Sequence, residues 1–195
     1  MVRRAIILAG GKGTRLRPYT VVLPKPLLPI GDYPVLEIII RQLAWFGFNR
    51  ITLTVNHQAE IIKAFFGNGS RWGINIDYSF EDKPLSTMGP LRLIGDLPEQ
   101  FLIMNGDVLT DLDFDQFYQF HSSHGKPFTI SAYNRSEISE FGVPETDTEQ
   151  HLSAFVEKPK RDFLVSMGIY MASKAILPLI PEEVPFGFDQ LMLKM

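Results

Sequence analysis

The feature that most limits the fold of this chain is an alternation. Short apolar or β-branched runs take turns with amphipathic segments of helical length. The runs fall at 5–9, 51–55, 74–80, 101–104, 128–133, 152–156 and 165–171. Helical periodicity covers about 35–45, 59–66, 91–93 with its flanks, 114–124 and 174–179. Parallel strands need crossover connections, and right-handed crossovers stack helices against the sheet. The order therefore predicts an α/β fold: three layers, α/β/α, around a mostly parallel central sheet. In such sheets ligands bind beyond the carboxyl ends of the strands, which directs attention to the segments after Ala9, Phe80 and Met104. From about Lys126 the strand runs crowd together, predicting added strands that form a lid or the second half of a cleft. With no internal repeat or long linker, residues 1–195 read as a single domain.

Composition removes several function classes. A net charge of −3 lacks the basic surplus of a general nucleic-acid binder, so no nucleic-acid partner is expected. The chain has no cysteine, which rules out disulfides, thiolate metal sites and cysteine nucleophiles, and makes the cytoplasm the default location. The first apolar run is too short for a signal-peptide core. The apolar stretch 35–48 is broken by Glu37, Arg41 and Gln42, so no membrane segment is expected. Trp45, Phe46, Phe65 and Phe66 read as core. His57, His121, His124 and His151 lack the spacing of metal or nucleophilic sites. Sequence leaves a homo-oligomer open, because it does not separate exposed apolar residues from buried ones.

The first strand runs into Gly10-Gly11-Lys12-Gly13-Thr14-Arg15-Leu16-Arg17-Pro18. Three glycines in four positions allow close backbone approach to a ligand and aim several N–H groups at one anion, for which phosphate is the natural guest. Arg15 adds a planar fork that can hold two phosphate oxygens. The spacing fits neither a Walker loop nor the dinucleotide fingerprint. Pro18, Pro24, Pro26 and Pro29 keep the next stretch extended, and Lys25 stands between two of these prolines on a stiff segment. Plain turns and a solvated lysine are the alternatives for either feature alone.

Leu8 through Pro18, followed by Pro24-Lys25-Pro26, closely resembles the signature of the sugar-phosphate nucleotidylyltransferases, the NDP-sugar pyrophosphorylases. The resemblance implies a Rossmann-like nucleotidyltransferase fold and a reaction between a nucleoside triphosphate and a sugar 1-phosphate. It makes Leu8, Ala9, Gly10, Gly11, Gly13, Thr14 and Arg15 the nucleotide loop, with Arg15 and Lys25 acting at the reacting phosphates. Asp107, which ends the run 101–104 through Asn105-Gly106, becomes a ligand for Mg2+; an Asn-Gly-Asp turn is the alternative. Residues 81–91 resemble the base-recognition segment, assigning Glu81 and Gly89 to the base. Ser86 and Met88 depart from the usual small residues there.

Glu157-Lys158-Pro159 resembles the sugar-site motif, Gly142 a sugar-facing glycine, and Ser166-Met167-Gly168-Ile169-Tyr170 a sugar segment in which Ser166 replaces an amide. Gly142, Glu157, Lys158 and Ser166 are thus the expected sugar-phosphate site. Members of this family usually continue to a second metal-binding aspartate, so the chain is expected to lack the C-terminal portion. Asp189 is read as a helix N-cap rather than as that ligand. The loop together with Glu81 resembles the mannose 1-phosphate guanylyltransferases of the family slightly more than its thymidylyltransferases, which implies GTP and a mannose-type sugar. A glucose 1-phosphate thymidylyltransferase, a cytidylyltransferase with another acceptor, and a non-catalytic nucleotide- or sugar-phosphate-binding module are the alternatives.

Overall fold

The computed structural model describes residues 2–11, 13–56 and 58–195, and for Arg15 the backbone alone. In chain order the strands and helices are β1 (Arg4–Leu8), β2 (Pro29–Ile30), β3 (Tyr33–Pro34), α1 (Val35–Trp45), β4 (Arg50–Val55), α2 (Ala59–Phe66) and β5 (Asn75–Phe80). These are followed by β6 (Gln100–Asn105), α3 (Phe114–His124), β7 (Phe128–Ile138), β8 (Val143–Thr146), β9 (Leu152–Val156), β10 (Lys160–Ser173) and α4 (Phe188–Lys194). The described chain forms two compact units. One comprises the residues up to Ile130 with Gly168–Met195, and the other is Ser131–Met167.

The first unit is built on a mixed sheet in the order β5-β4-β1-β6-β10-β7. β5, β4, β1 and β6 run parallel, and β10 is antiparallel to β6. Alternation along the strands gives the sheet two buried faces. Ile6, Phe101, Ile103, Tyr170 and Ala172 join Met88, Leu91, Ile176, Phe186 and Leu191 in one core. The intervening residues Ala5, Ile7, Leu102, Met104 and Met171 point the other way and are equally buried. The connections β1 to β4 and β4 to β5 step in the same direction, which puts α1 and α2 on one face. This is the expected three-layer α/β arrangement.

Local chemistry explains where the helices begin and end. The Asp113 carboxylate accepts hydrogen bonds from the N–H groups of Asp115 and Gln116 at the start of α3, and Gly125, at φ 65°, closes its end. On α1, Glu37 is buried, yet it accepts from Arg41, Arg71 and the Trp72 indole, tying the helix to the 3-10 turn Ser70–Trp72. Burial alone would raise the Glu37 pKa; the Arg41 and Trp72 hydrogen bonds and the arginine charges outweigh it and hold it below the usual value.

Three expectations are corrected. The segments at 91–93 and 174–179 form 3-10 turns, Gly89–Leu93 and Lys174–Leu179; in the second, Pro178 lies inside the turn and removes an N–H from the ordinary helical ladder. Trp45 is 87% exposed and Phe65 39%, so neither is core. The buried stripe of α1 is Leu36, Ile39, Ile40 and Leu43, and Trp45 falls off it, whereas Phe66 is buried and Phe46 meets Phe114 edge-on. Gly187, not Asp189, is the N-cap of α4: the Gly187 N–H donates to the Gln190 side chain, and Asp189 lies within the first turn. His57 lies outside the described residues. Among the described residues no helix is long and apolar enough to cross a membrane.

The second unit is small. β8 pairs antiparallel with β9, from Val143 opposite Val156 to Thr146 opposite Leu152, with an irregularity at Glu145/Thr146.

Candidate active site

A cleft of about 440 Å³ opens in the first unit at the carboxyl ends of the parallel strands. Leu8 to Gly11 continue β1, Thr54 and Asn56 end β4, Glu81 follows β5, and Asn105 to Asp107 follow β6; all line it. Backbone hydrogen bonds hold these ends together. The Ala9 N–H donates to the Thr54 carbonyl (2.9 Å), the Gly106 N–H to that of Leu8 (3.0 Å) and the Glu81 N–H to that of Val55 (2.9 Å). The four segments therefore share one frame, as ligand sites in open α/β sheets do.

The glycines serve different ends. Gly13 sits at φ 58°, and a Cβ there would fall 2.8 Å from Thr20 Cγ2 and 3.3 Å from Lys25 Cβ. Thr20 fastens the turn by donating from its hydroxyl to the Gly13 carbonyl (2.7 Å). A Cβ on Gly11 would meet nothing within 4 Å, which leaves that backbone open toward the cleft it lines. A Cβ on Gly10 would come within 2.9 Å of Glu81 Oε1. Thr14 opens the 3-10 turn Thr14–Leu16 and is exposed; the Arg15 side chain lies outside the described residues.

Lys25 begins the 3-10 turn Lys25–Leu27, directed by Pro24 and Pro26, and its ammonium donates to Asp107 Oδ2. The two groups singled out for phosphate and for metal thus form an ion pair with each other inside the cleft. Magnesium is commonly held by one or two carboxylates together with substrate phosphates, and Asp107 fits that role. Among the described residues, no three His, Cys, Asp or Glu side chains gather into a metal cluster made by protein alone. Glu81 Oε2 accepts from the Leu85 N–H (3.0 Å). Burial raises the Glu81 pKa above the usual carboxylate value, and the Leu85 hydrogen bond only partly offsets it.

Residues 84–89 are arranged differently from the expectation. Ser86 and Thr87 line the cleft with Pro84, while Met88 is fully buried in the core and does not intrude on the cleft. Gly89 lies outside the lining. Its N–H donates to the Phe186 carbonyl (3.1 Å), and the space of a Cβ is filled by Leu85 Cβ at 2.8 Å and the Val184 carbonyl at 3.2 Å. Its small size serves chain packing. In the second unit, a Cβ on Gly142 would fall 2.7 Å from Glu157 Oε2 and against the Phe155 ring, so Gly142 and Glu157 are adjacent. Lys158 follows at φ 48°, and Ser166 lies on β10.

Asn56, Thr87 and Asn105 also line the cleft and were not singled out from sequence. Asn56 follows β4 as Gly10 follows β1, so the strand-end rule extended to the run 51–55 would have found it. Thr87 lies inside residues 81–91, the segment that resembles the base-recognition element, but nothing in the sequence set it apart from its neighbours there.

A family model described as nucleotidyl transferase matches residues 4–184. The chain belongs to that family. Nucleotidyl transferase relatives include a mannose-1-phosphate guanyltransferase from Candida albicans, 36% identical over 187 residues, covering 91% of this chain and 51% of the relative. A UTP–glucose-1-phosphate uridylyltransferase from Synechocystis is 35% identical over 207 residues, covering 95% of this chain and 53% of the relative. The chain spans about half the length of the curated relatives it matches. Among solved structures, HddC from Yersinia pseudotuberculosis complexed with GMP-PN superposes with a TM-score of 0.72 at 28% identity, covering 96% of this chain and 83% of that one.

Proposed function

We propose that this chain is a sugar-1-phosphate nucleotidylyltransferase domain spanning residues 1–195. In the proposed reaction an oxygen of the sugar 1-phosphate attacks the α-phosphorus of a nucleoside triphosphate. The bond from that phosphorus to the β-phosphate oxygen breaks, giving an NDP-sugar and pyrophosphate. The observation that carries this reading is the joining of the open Gly11 backbone, Lys25 and Asp107 in one cleft at the strand ends.

The nucleophile is already an anion, so the protein's task is to align two highly charged groups and spread the developing charge. Gly10, Gly11 and Gly13 offer backbone N–H groups to the triphosphate, and Arg15 takes the leaving pyrophosphate. Lys25 meets the reacting phosphate once it is drawn from Asp107. Glu81, beside Gly10, serves the base. Gly142, Glu157, Lys158 and Ser166 serve the sugar phosphate, with Lys158 as its cation. Asp107 would hold Mg2+, which supplies neutralisation of phosphate charge when bound.

GTP with a mannose-type sugar is the preferred pair, supported by the guanyltransferase relatives and by the acceptor chemistry of Glu81, whose carboxylate suits the N–H edge of guanine. The Synechocystis relative keeps UTP and glucose 1-phosphate among the pairs to test. The absence of cysteine suits a reducing cytoplasm. A second reading, nucleotide binding without turnover, draws on the engagement of both carboxylates that line this cleft: Asp107 pairs with Lys25, and Glu81 accepts from the Leu85 N–H.

The test is pyrophosphate release by the purified chain with Mg2+, crossing GTP, dTTP, UTP, CTP and ATP with a panel of sugar 1-phosphates. Release that requires one triphosphate and one sugar phosphate, and is lost in Arg15→Ala, establishes the transferase. Nucleotide binding without release for any pair selects the second reading.

A further inference from the structure

The wall of the cleft formed by residues 84–87 is held from behind by a segment that never reaches the cleft. Phe186 pairs with it through backbone alone: its N–H donates to the Leu85 carbonyl (2.9 Å), and its carbonyl accepts from Met88 (2.9 Å) and Gly89 (3.1 Å). One step further on, the Phe188 N–H donates to the Thr87 hydroxyl oxygen at 2.8 Å, across 101 positions of sequence. The Gly89 Cβ space, filled by the Val184 carbonyl, brings the segment close enough for these bonds.

This segment is itself anchored. Phe186 is buried in the core with Met88 and Leu91, and the Phe188 ring stacks on Tyr170 of β10 with centroids 4.6 Å apart. Tyr170 is opposite Ile103 of β6, the strand that leads to Asp107. From the cleft side, Glu81 holds the Leu85 N–H while Phe186 holds the Leu85 carbonyl. Between these two grips Ser86 adopts φ 66°, a left-handed conformation that a serine takes up only when its neighbours impose it.

We propose that residues 184–190 are a brace for the nucleotide-facing wall and that Thr87 is the positioning residue that joins them. Its hydroxyl transmits the position of Phe188 to Ser86 and Thr87 in the cleft. The proposal rests on the reading of this cleft as a nucleotide site and adds a specific coupling: a nucleotide that orders the wall also orders the first turn of α4, although no residue from 184 to 190 lines the cleft. A polar side chain whose bond is made to a distant backbone group, rather than to a ligand, controls affinity by fixing the geometry of the ligand's neighbours.

The experiment is hydrogen exchange at single amides with and without GTP, dTTP and UTP, together with nucleotide affinity by calorimetry, on wild type, Thr87→Val and Thr87→Ser. The expected result is that the bound nucleotide slows exchange at the Phe188 amide at least tenfold in wild type and Thr87→Ser. In Thr87→Val that slowing is lost and affinity falls at least fivefold, while the amides of β1 and β6 keep their protection. A wild type that binds nucleotide while Phe188 exchange is unmoved overturns the brace and leaves the nucleotide site standing. Unchanged affinity in Thr87→Val also overturns it. A wild type that binds none of the three nucleotides removes the reading of the cleft, and the brace falls with it. If Thr87→Val does not fold, the exchange at Phe188 in wild type decides alone.

Discussion

Replacing Gly13 and Gly11 separately by alanine should divide the glycine loop into a part the fold requires and a part the ligand requires. At Gly13 the new residue must hold φ near 58°, which costs an L-amino acid about 1–2 kcal/mol. Its methyl group would lie 2.8 Å from Thr20 Cγ2 and 3.2 Å from Thr20 Cβ, and overpacking of that kind costs about 1–3 kcal/mol. Thr20 can relieve the crowding only by loosening its 2.7 Å bond to the Gly13 carbonyl, at about 1 kcal/mol, so relief and crowding are alternatives. The expected loss for Gly13→Ala is therefore about 2–4 kcal/mol, which a domain of ordinary stability survives folded. Gly11→Ala meets nothing within 4 Å and should change stability by less than about 0.5 kcal/mol. Its methyl group points into space a phosphate would use, so triphosphate affinity should fall about tenfold, or 1.4 kcal/mol. Urea denaturation followed by circular dichroism gives the stabilities, and calorimetric titration with GTP the affinities. Equal destabilisation by the two variants would refute the packing reasoning, and unchanged nucleotide affinity in Gly11→Ala would refute the phosphate-facing role.

Lys25→Gln should free the Asp107 carboxylate for a divalent ion. Both side chains are about a third exposed, so the ion pair is worth about 1 kcal/mol, and Mn2+ binding without nucleotide, read by electron paramagnetic resonance, should tighten about fivefold. Equal Mn2+ binding in wild type, Lys25→Gln and Asp107→Asn would exclude the competition. His121 is buried on α3, with Nδ1 2.7 Å from the Thr129 hydroxyl, which also lies 2.8 Å from His124 Nε2. Burial and then the neighbouring His124 lower its pKa, so folding favours the neutral ring. The sign follows: this contribution is fully present above about pH 6.5 and is lost as pH falls from there toward the folded pKa. Melting temperature should decline as pH falls below about 6.5, starting above the range in which Glu37 and Asp96, whose pKa values are lowered, lose their contributions. His121→Asn should flatten that slope; an unchanged slope would assign it to other groups.

Much of the first unit was legible because local chemistry dictates it. The apolar runs with β-branched residues became strands, and the strand-end rule led to Gly10, Glu81 and Asp107 without knowledge of which strands are neighbours. Lys25 was legible for a similar reason, since two flanking prolines limit where its stem can start. What escaped depends on contacts distant in sequence. Trp45 belongs to an apolar helix, and only the direction of the buried stripe shows that it faces solvent. Thr87 gains its role from Phe188, about a hundred residues away, and no periodicity near either residue announces the bond.

The glycines show why composition at a site can mislead about its orientation. A glycine marks a place where something must approach the backbone closely, and that something can be a ligand or the chain itself. At Gly89 it is the chain: Leu85 and Val184 occupy the space. At Gly10 it is Glu81, whose Oε1 would lie 2.9 Å from a Cβ, so this glycine lets the loop after β1 pack against the Glu81 carboxylate. At Gly11, by contrast with Gly10 and Gly13, no described atom lies within 4 Å of a Cβ. Of the three glycines in the loop, Gly11 is the one whose replacement should be felt first by the ligand, if the proposed phosphate approach lies at the turn after β1.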